Sequence, residues 1–151
     1  MPPISDKEAS ILILGSFPGP MSLAKREYYA HPRNDFWRIL QKLAGVSGGY
    51  KNKCRGLKAN RIALWDVVKT CERRGSSDTR IKKPVPNDVE GFLLKHPEIK
   101  AIYLNGRKAE SLYRKHFSEK IVVRAVYLPS SSPAHAVSSN KKIRAWRKGI
   151  L

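Results

Sequence analysis

Short aliphatic runs alternate along this chain with stretches in which apolar residues recur every three or four positions. The runs at 11–14, 61–64, 101–104 and 121–128 each end in a polar or glycine-bearing turn, so they predict strands. Between them, Phe36, Ile39, Leu40 and Leu43 fall on one helical stripe that should stop before Gly45 and the Gly48-Gly49 pair. Val89, Phe92 and Leu93 predict a second helix, opened through Asn87 and ended near Pro97. Ala109, Leu112 and Tyr113 predict a third, and Ile143, Trp146 and Ile150 a fourth. Alternation of this kind implies an α/β fold, a three-layer α-β-α sandwich with a central four-stranded, mainly parallel sheet covered on both faces. The segment 69–86 is rich in Arg, Lys, Ser and Pro and short of large apolar residues, which predicts a long surface loop.

With 151 residues, 41% of them apolar, the chain can bury one core, and a single domain over 1–151 is expected. Charge changes the picture more. Thirty Lys and Arg against twelve Asp and Glu leave a formal net charge of +18, far more than solubility requires, which points to a polyanion, nucleic acid before a membrane surface. The excess is concentrated late: Lys120, Arg124, Lys141, Lys142, Arg144, Arg147 and Lys148 have no acidic residue among or after them. Those on the fourth helix could form a solvated face or neutralise phosphates. No apolar run approaches a spanning helix, and Met1-Pro2-Pro3-Ile4-Ser5-Asp6 lacks the regions of a signal peptide, so a soluble intracellular protein is expected. Cys54 and Cys71 are too few and too far apart for a metal cluster, and two free thiols are expected.

Two segments carry chemistry. The first runs from the turn Gly15-Ser16-Phe17-Pro18-Gly19 to Tyr29-Ala30-His31-Pro32-Arg33-Asn34-Asp35-Phe36-Trp37; the second is Leu128-Pro129-Ser130-Ser131-Ser132-Pro133-Ala134-His135-Ala136. Leu64-Trp65-Asp66-Val67-Val68 and Asn105-Gly106-Arg107-Lys108-Ala109 fit between them as the ends of the two middle strands. This ordered set resembles the uracil-DNA glycosylase superfamily, and within it the deoxyinosine (hypoxanthine-DNA) glycosylase branch. The resemblance covers nearly the whole chain. It implies the fold just described, a monofunctional glycosylase with water as nucleophile, DNA carrying a deaminated base as partner, and no metal or organic cofactor.

Such hydrolysis needs an extruded base, a pocket that reads its edge, a placed water and stabilisation of the departing base. Many members of the superfamily carry an Asp, Asn or Glu inside the first turn, where this chain has Ser16 and Phe17. Phe17 cannot bind water through its side chain but could stack on a purine. Asn34 is therefore assigned to the water, as the resemblance also implies; its competing role is to cap the next helix. Gly15, Ser16, Phe17, Tyr29 and Asp66 are assigned to the base pocket, although Asp66 could equally anchor its loop, and Trp37 is assigned to packing. Ser130, Ser131 and Ser132 offer hydroxyls and successive amides for phosphates flanking the lesion, and His135, Lys141 and Arg144 join them as candidate DNA contacts. His31 could bind phosphate, polarise the base or simply pack. Asn105 could meet phosphate or cap the third helix. A Schiff-base mechanism is not expected, because the lysines read as solvated. Two other readings stay open: another base specificity on the same fold, and a noncatalytic nucleic-acid-binding domain. A monomer is expected.

Overall fold

A computed structural model describes residues 1–150; Leu151, the last residue of the expected domain, lies outside them. In chain order the elements are β1 (Ile11–Gly15), α1 (Pro20–Lys25), α2 (Phe36–Ala44), α3 (Tyr50–Ala59), β2 (Ile62–Asp66), β3 (Val68–Glu72), β4 (Lys82–Pro86), α4 (Val89–Lys95), β5 (Ala101–Asn105), α5 (Arg107–Phe117), β6 (Arg124–Leu128) and α6 (Ser139–Ile150). Four strands form one parallel sheet in the order β2-β1-β5-β6. Side chains alternate across it, as the pleat requires. Ile13, Leu64 and Tyr103 pack with Phe36, Ile39, Leu40, Leu57, Ile143 and Trp146 from α2, α3 and α6. Leu12, Leu14, Ile102 and Leu104 pack on the opposite face with Val89, Phe92, Leu112, Tyr113 and Phe117 from α4 and α5. The result is the expected three-layer sandwich.

Local expectations met several corrections. Helix α2 ends as its glycine suggests, with Gly45 at φ +68° and its N–H donating to the Gln41 and Leu40 carbonyls. Helices α1 and α3 were not anticipated; α3 buries only Leu57 fully, which leaves a faint apolar stripe. The fourth strand starts at Arg124 rather than 121, and Val122, 99% exposed, belongs to the turn before it. Asn87 does not cap α4. Asp88 does, its carboxylate accepting from the Gly91 N–H at 2.9 Å, while the Asn87 amide donates to the Asp66 carbonyl at 2.8 Å. The segment 69–86 is not all loop, since β3 and β4 pair as an antiparallel hairpin around a short 3-10 turn at Asp78–Arg80.

The parallel register places Gly15 opposite Asp66 and Asn105 opposite Leu128, so all four main strands deliver their carboxyl ends to one edge. Ligand sites in α/β sheets form there. The N-terminal segment docks beside β2: Ile4 bridges Leu64, and the Tyr28 hydroxyl donates to the Pro2 carbonyl at 2.8 Å. Among the described residues no helix is long and apolar enough to cross a membrane.

Candidate active site

A cleft of about 520 Å³ opens at the carboxyl edge of the sheet. Gly15, Ser16, Phe17, Tyr29, Asn34, Asp66, Ser130, Ser131, Ser132 and His135, all assigned to a site from sequence, line it, and His31 and Asn105 do too. Lys141 and Arg144 do not. Both lie exposed on α6, outside the cleft.

The cleft is held open by a missing side chain. A Cβ on Gly15 would come within 2.5 Å of the Asp66 carboxyl and 2.7 Å of the Tyr29 hydroxyl, so these two groups flank the space above the strand end. Tyr29 takes a left-handed backbone conformation, φ +53°, which costs a non-glycine residue about 1 kcal/mol or more. Its ring stacks on Phe36 at 4.1 Å, and its hydroxyl accepts from the Asn105 amide at 3.0 Å. Asn105 is neither a helix cap nor open to phosphate. Buried, it ties three elements together, its amide also donating to Ser131 Oγ at 2.9 Å and its Oδ1 accepting from the Ser131 N–H at 2.9 Å.

That bond corrects the expected phosphate nest. The Ser131 N–H serves Asn105, and the Ser132 N–H donates to Ser130 Oγ at 3.1 Å, leaving hydroxyl hydrogens rather than a row of free amides. His135 is half-buried, its N–H donating to the Ser132 carbonyl at 3.0 Å, whereas His31 is exposed and its Nδ1 accepts from the Arg33 N–H at 3.1 Å. Trp37 packs as expected, edge-on to Phe36 at 4.8 Å with its Nε1 donating to the Tyr28 carbonyl.

Asn34 lines the cleft and also binds the first turn of α2. Its Oδ1 accepts from the Phe36 N–H at 2.9 Å, fixing the amide at the start of α2, and a carbonyl oxygen has a second lone pair for a water in the cleft. The adjacent Asp35 is engaged elsewhere. It accepts from Ser139 Oγ at 2.7 Å and faces the Lys142 ammonium at 3.4 Å. Lys142 therefore corrects the reading of α6 as a solvated basic face: its side chain is 1% exposed, and it also donates to the Ser132 carbonyl at 2.9 Å. It is desolvated yet fully engaged and lies outside the cleft, so no Schiff-base step follows from it.

The β3–β4 hairpin, expected as loop, brings Asp78 to the cleft and Arg73 against the first turn. Arg73, its side chain 4% exposed, donates to the Pro18 carbonyl at 2.7 Å and to the Gly75 carbonyl at 3.1 Å. Its guanidinium also lies 5.2 Å from the Phe17 ring centre and 3.9 Å from Asp78. Asp78 lines the cleft, and Arg73 reaches both the Pro18 carbonyl and the Phe17 ring, so the hairpin clamps the turn that carries Ser16 and Phe17. The length and polarity of 69–86 were the only sequence signals for this. Burial pushes the Asp66 carboxyl up to about 7, with Asp78 adding to the shift and the N-terminal amine and Arg73 opposing it. Burial also raises Asp78, against the nearby Ser16 hydroxyl and the Arg73 charge.

The chain belongs to the uracil DNA glycosylase superfamily, whose family model matches residues 2–150. Two curated relatives are named hypoxanthine DNA glycosylase. One, from Methanosarcina barkeri, is 43% identical over 99% of this chain and 95% of its own length; the other, from Methanosarcina acetivorans, is 40% identical over 96% and 92%. A solution structure of a candidate uracil DNA glycosylase from Methanosarcina acetivorans superposes with a TM-score of 0.82 at 36% identity, covering 98% of this chain and 95% of that one.

Proposed function

We propose that this protein is a monofunctional DNA glycosylase that hydrolyses the N-glycosidic bond of deoxyinosine, leaving an abasic site and free hypoxanthine. The observation that carries the reading is the gathering of Asn34, Phe17, Asp66 and Ser131 around one cleft, from four separate stretches of the chain. Family membership and the names of the two relatives support the same conclusion.

Each residue then has a task. Asn34 Oδ1 orients water behind the anomeric carbon; a neutral amide is a poor base, so its contribution is placement of the nucleophile. Phe17, with Arg73 over its ring, supplies the surface on which an extruded purine stacks. Asp66 and the Tyr29 hydroxyl meet the base edge above Gly15. The hydroxyls of Ser130 and Ser132, together with His135, contact phosphates around the lesion. The +18 charge strengthens binding to the duplex as a whole, with Lys141 and Arg144 on the outer face of α6.

The test is incubation with duplexes carrying one deoxyinosine, deoxyuridine or deoxyxanthosine, abasic sites being scored by alkaline cleavage. Strand scission at deoxyinosine is expected. Scission only at uracil would overturn the substrate, and none at any base would overturn the enzymatic reading.

A further inference from the structure

Asp66 stands out among the acidic groups of the cleft. It ends β2 opposite Gly15, is only 6% exposed, and no hydrogen bond among the described residues reaches its carboxyl oxygens. Its backbone carbonyl, by contrast, is engaged by Asn87. A buried carboxyl without a donor is costly when ionised and comfortable when protonated.

Its surroundings reinforce this from every side. Asp78, on the hairpin, contributes a like charge. Arg73 opposes it; its Nη2 and Nε donate to the Pro18 and Gly75 carbonyls, and its Nη1, 3.9 Å from Asp78, has no hydrogen-bond partner among the described residues. The N-terminal amine opposes it too, from the segment docked beside β2. Tyr28 and Tyr29, facing it from the loop before α2, are phenols that burial raises, so they stay neutral. The balance holds the Asp66 proton up to a pH of about 7.

We propose that Asp66 is the general acid that protonates the departing purine, an inference that rests on the glycosylase reading above. As the C1′–N9 bond breaks, its electron pair goes to the base, and an anionic carboxylate on the pocket wall would oppose that charge. A neutral one relieves it. The Asp66 O–H bond breaks and its proton passes to N7, the basic ring nitrogen of the purine. Water forms the new C1′–O bond and loses a proton to solvent, and Asp66 is reprotonated from solvent, so the balance is that of hydrolysis.

The experiment is single-turnover release of hypoxanthine from a deoxyinosine duplex between pH 5 and 9, using the full chain. The wild type is expected to lose rate about tenfold per pH unit above pH ~7, once Asp66 ionises. Asp66→Asn keeps the shape and a hydrogen-bond donor but cannot transfer a proton. It should bind the duplex equally well, react about 100-fold more slowly at pH 6, and lack the alkaline limb. Asp78→Asn removes the like charge and should move that limb to lower pH. A 7-deaza substrate, which has no N7 to protonate, should slow the wild type strongly and Asp66→Asn little further. The proposal is overturned if Asp66→Asn reacts at the wild-type rate, if its alkaline limb persists, or if the 7-deaza penalty is the same in both enzymes. Wild-type release of hypoxanthine with an equally fast Asp66→Asn variant would overturn this inference alone; no release by the wild type would overturn the glycosylase reading with it.

Discussion

The fold treats two carboxyl groups in opposite ways, Asp35 at the start of α2 beside the cleft and Asp66 at the end of β2 inside it. Asp35 is 17% exposed and fully partnered, by the Ser139 hydroxyl at 2.7 Å and the buried Lys142 ammonium at 3.4 Å. Lys142 in turn reaches the Ser132 carbonyl, so this side of the site is a strut joining α2, α6 and the serine loop. Asp66 has no such partner, and its nearest charged company includes a second carboxyl, Asp78. The same side chain is structural where a cation pairs with it directly and available for chemistry where none is in contact.

The largest effect should fall on the compensated side. Lys142→Met leaves Asp35 without its cation beside a buried helix seam and should cost about 3 kcal/mol of unfolding free energy, read by urea denaturation. Adding Asp35→Leu should return much of that loss. If Lys142→Met costs under ~1 kcal/mol, the strut is no more than an ordinary surface pair.

Asp66 should respond with the opposite sign. Its folded carboxyl titrates near 7 against an ordinary 3.8, so between those values the native state holds a proton that the unfolded chain has released. Wild-type stability therefore falls as pH rises through that window. Asp66→Asn removes the titration, and its stability relative to wild type should grow by about 3 kcal/mol between pH 5 and pH 8. A pH-independent difference would mean that Asp66 is as well compensated as Asp35.

The contrast also explains what could be read from the chain beforehand. The main sheet was legible because β1, β2 and β5 are apolar runs buried on both faces, and the cleft residues at the strand ends came with them. Helix α3 was obscure because Tyr50, Cys54 and Leu57 make too thin a stripe among lysines. β3 and β4 were hidden because a two-stranded hairpin of Lys, Thr, Glu and Pro carries no apolar alternation. Lys142 is indistinct in the sequence for a related reason. Its neighbours Lys141, Arg144, Arg147 and Lys148 are exposed, and only the tertiary position of Asp35, remote in sequence, distinguishes it from them. Pairings across long sequence separations leave no local trace, and the strut and the Arg73–Pro18 bond are both of that kind.

Two substitutions probe the chemistry next to each carboxyl. Asn34 adjoins the strut, and Asn34→Ala should slow single-turnover excision by ~100-fold through loss of water placement. The same change removes the bond to the Phe36 N–H and should lower stability by about 1 kcal/mol. Asn34→Asp restores the acceptor, and recovery of stability without recovery of rate would separate the cap from the amide's catalytic part. A stability loss with unchanged rate in Asn34→Ala would reduce Asn34 to a structural residue like its neighbour Asp35.

Phe17 adjoins the uncompensated side, and its expected effect is smaller because stacking is one contact among several. Phe17→Leu keeps an apolar side chain under the Arg73 guanidinium but removes the flat ring, so half-saturation by the deoxyinosine duplex should rise about tenfold. Stability should change little, since the ring is only half-buried and Arg73 stays anchored to the Pro18 carbonyl. A loss of stability as large as that of Lys142→Met, with base affinity unchanged, would make the hairpin clamp a second strut. The asymmetry between the two sides of the cleft would then lie in Asp66 alone.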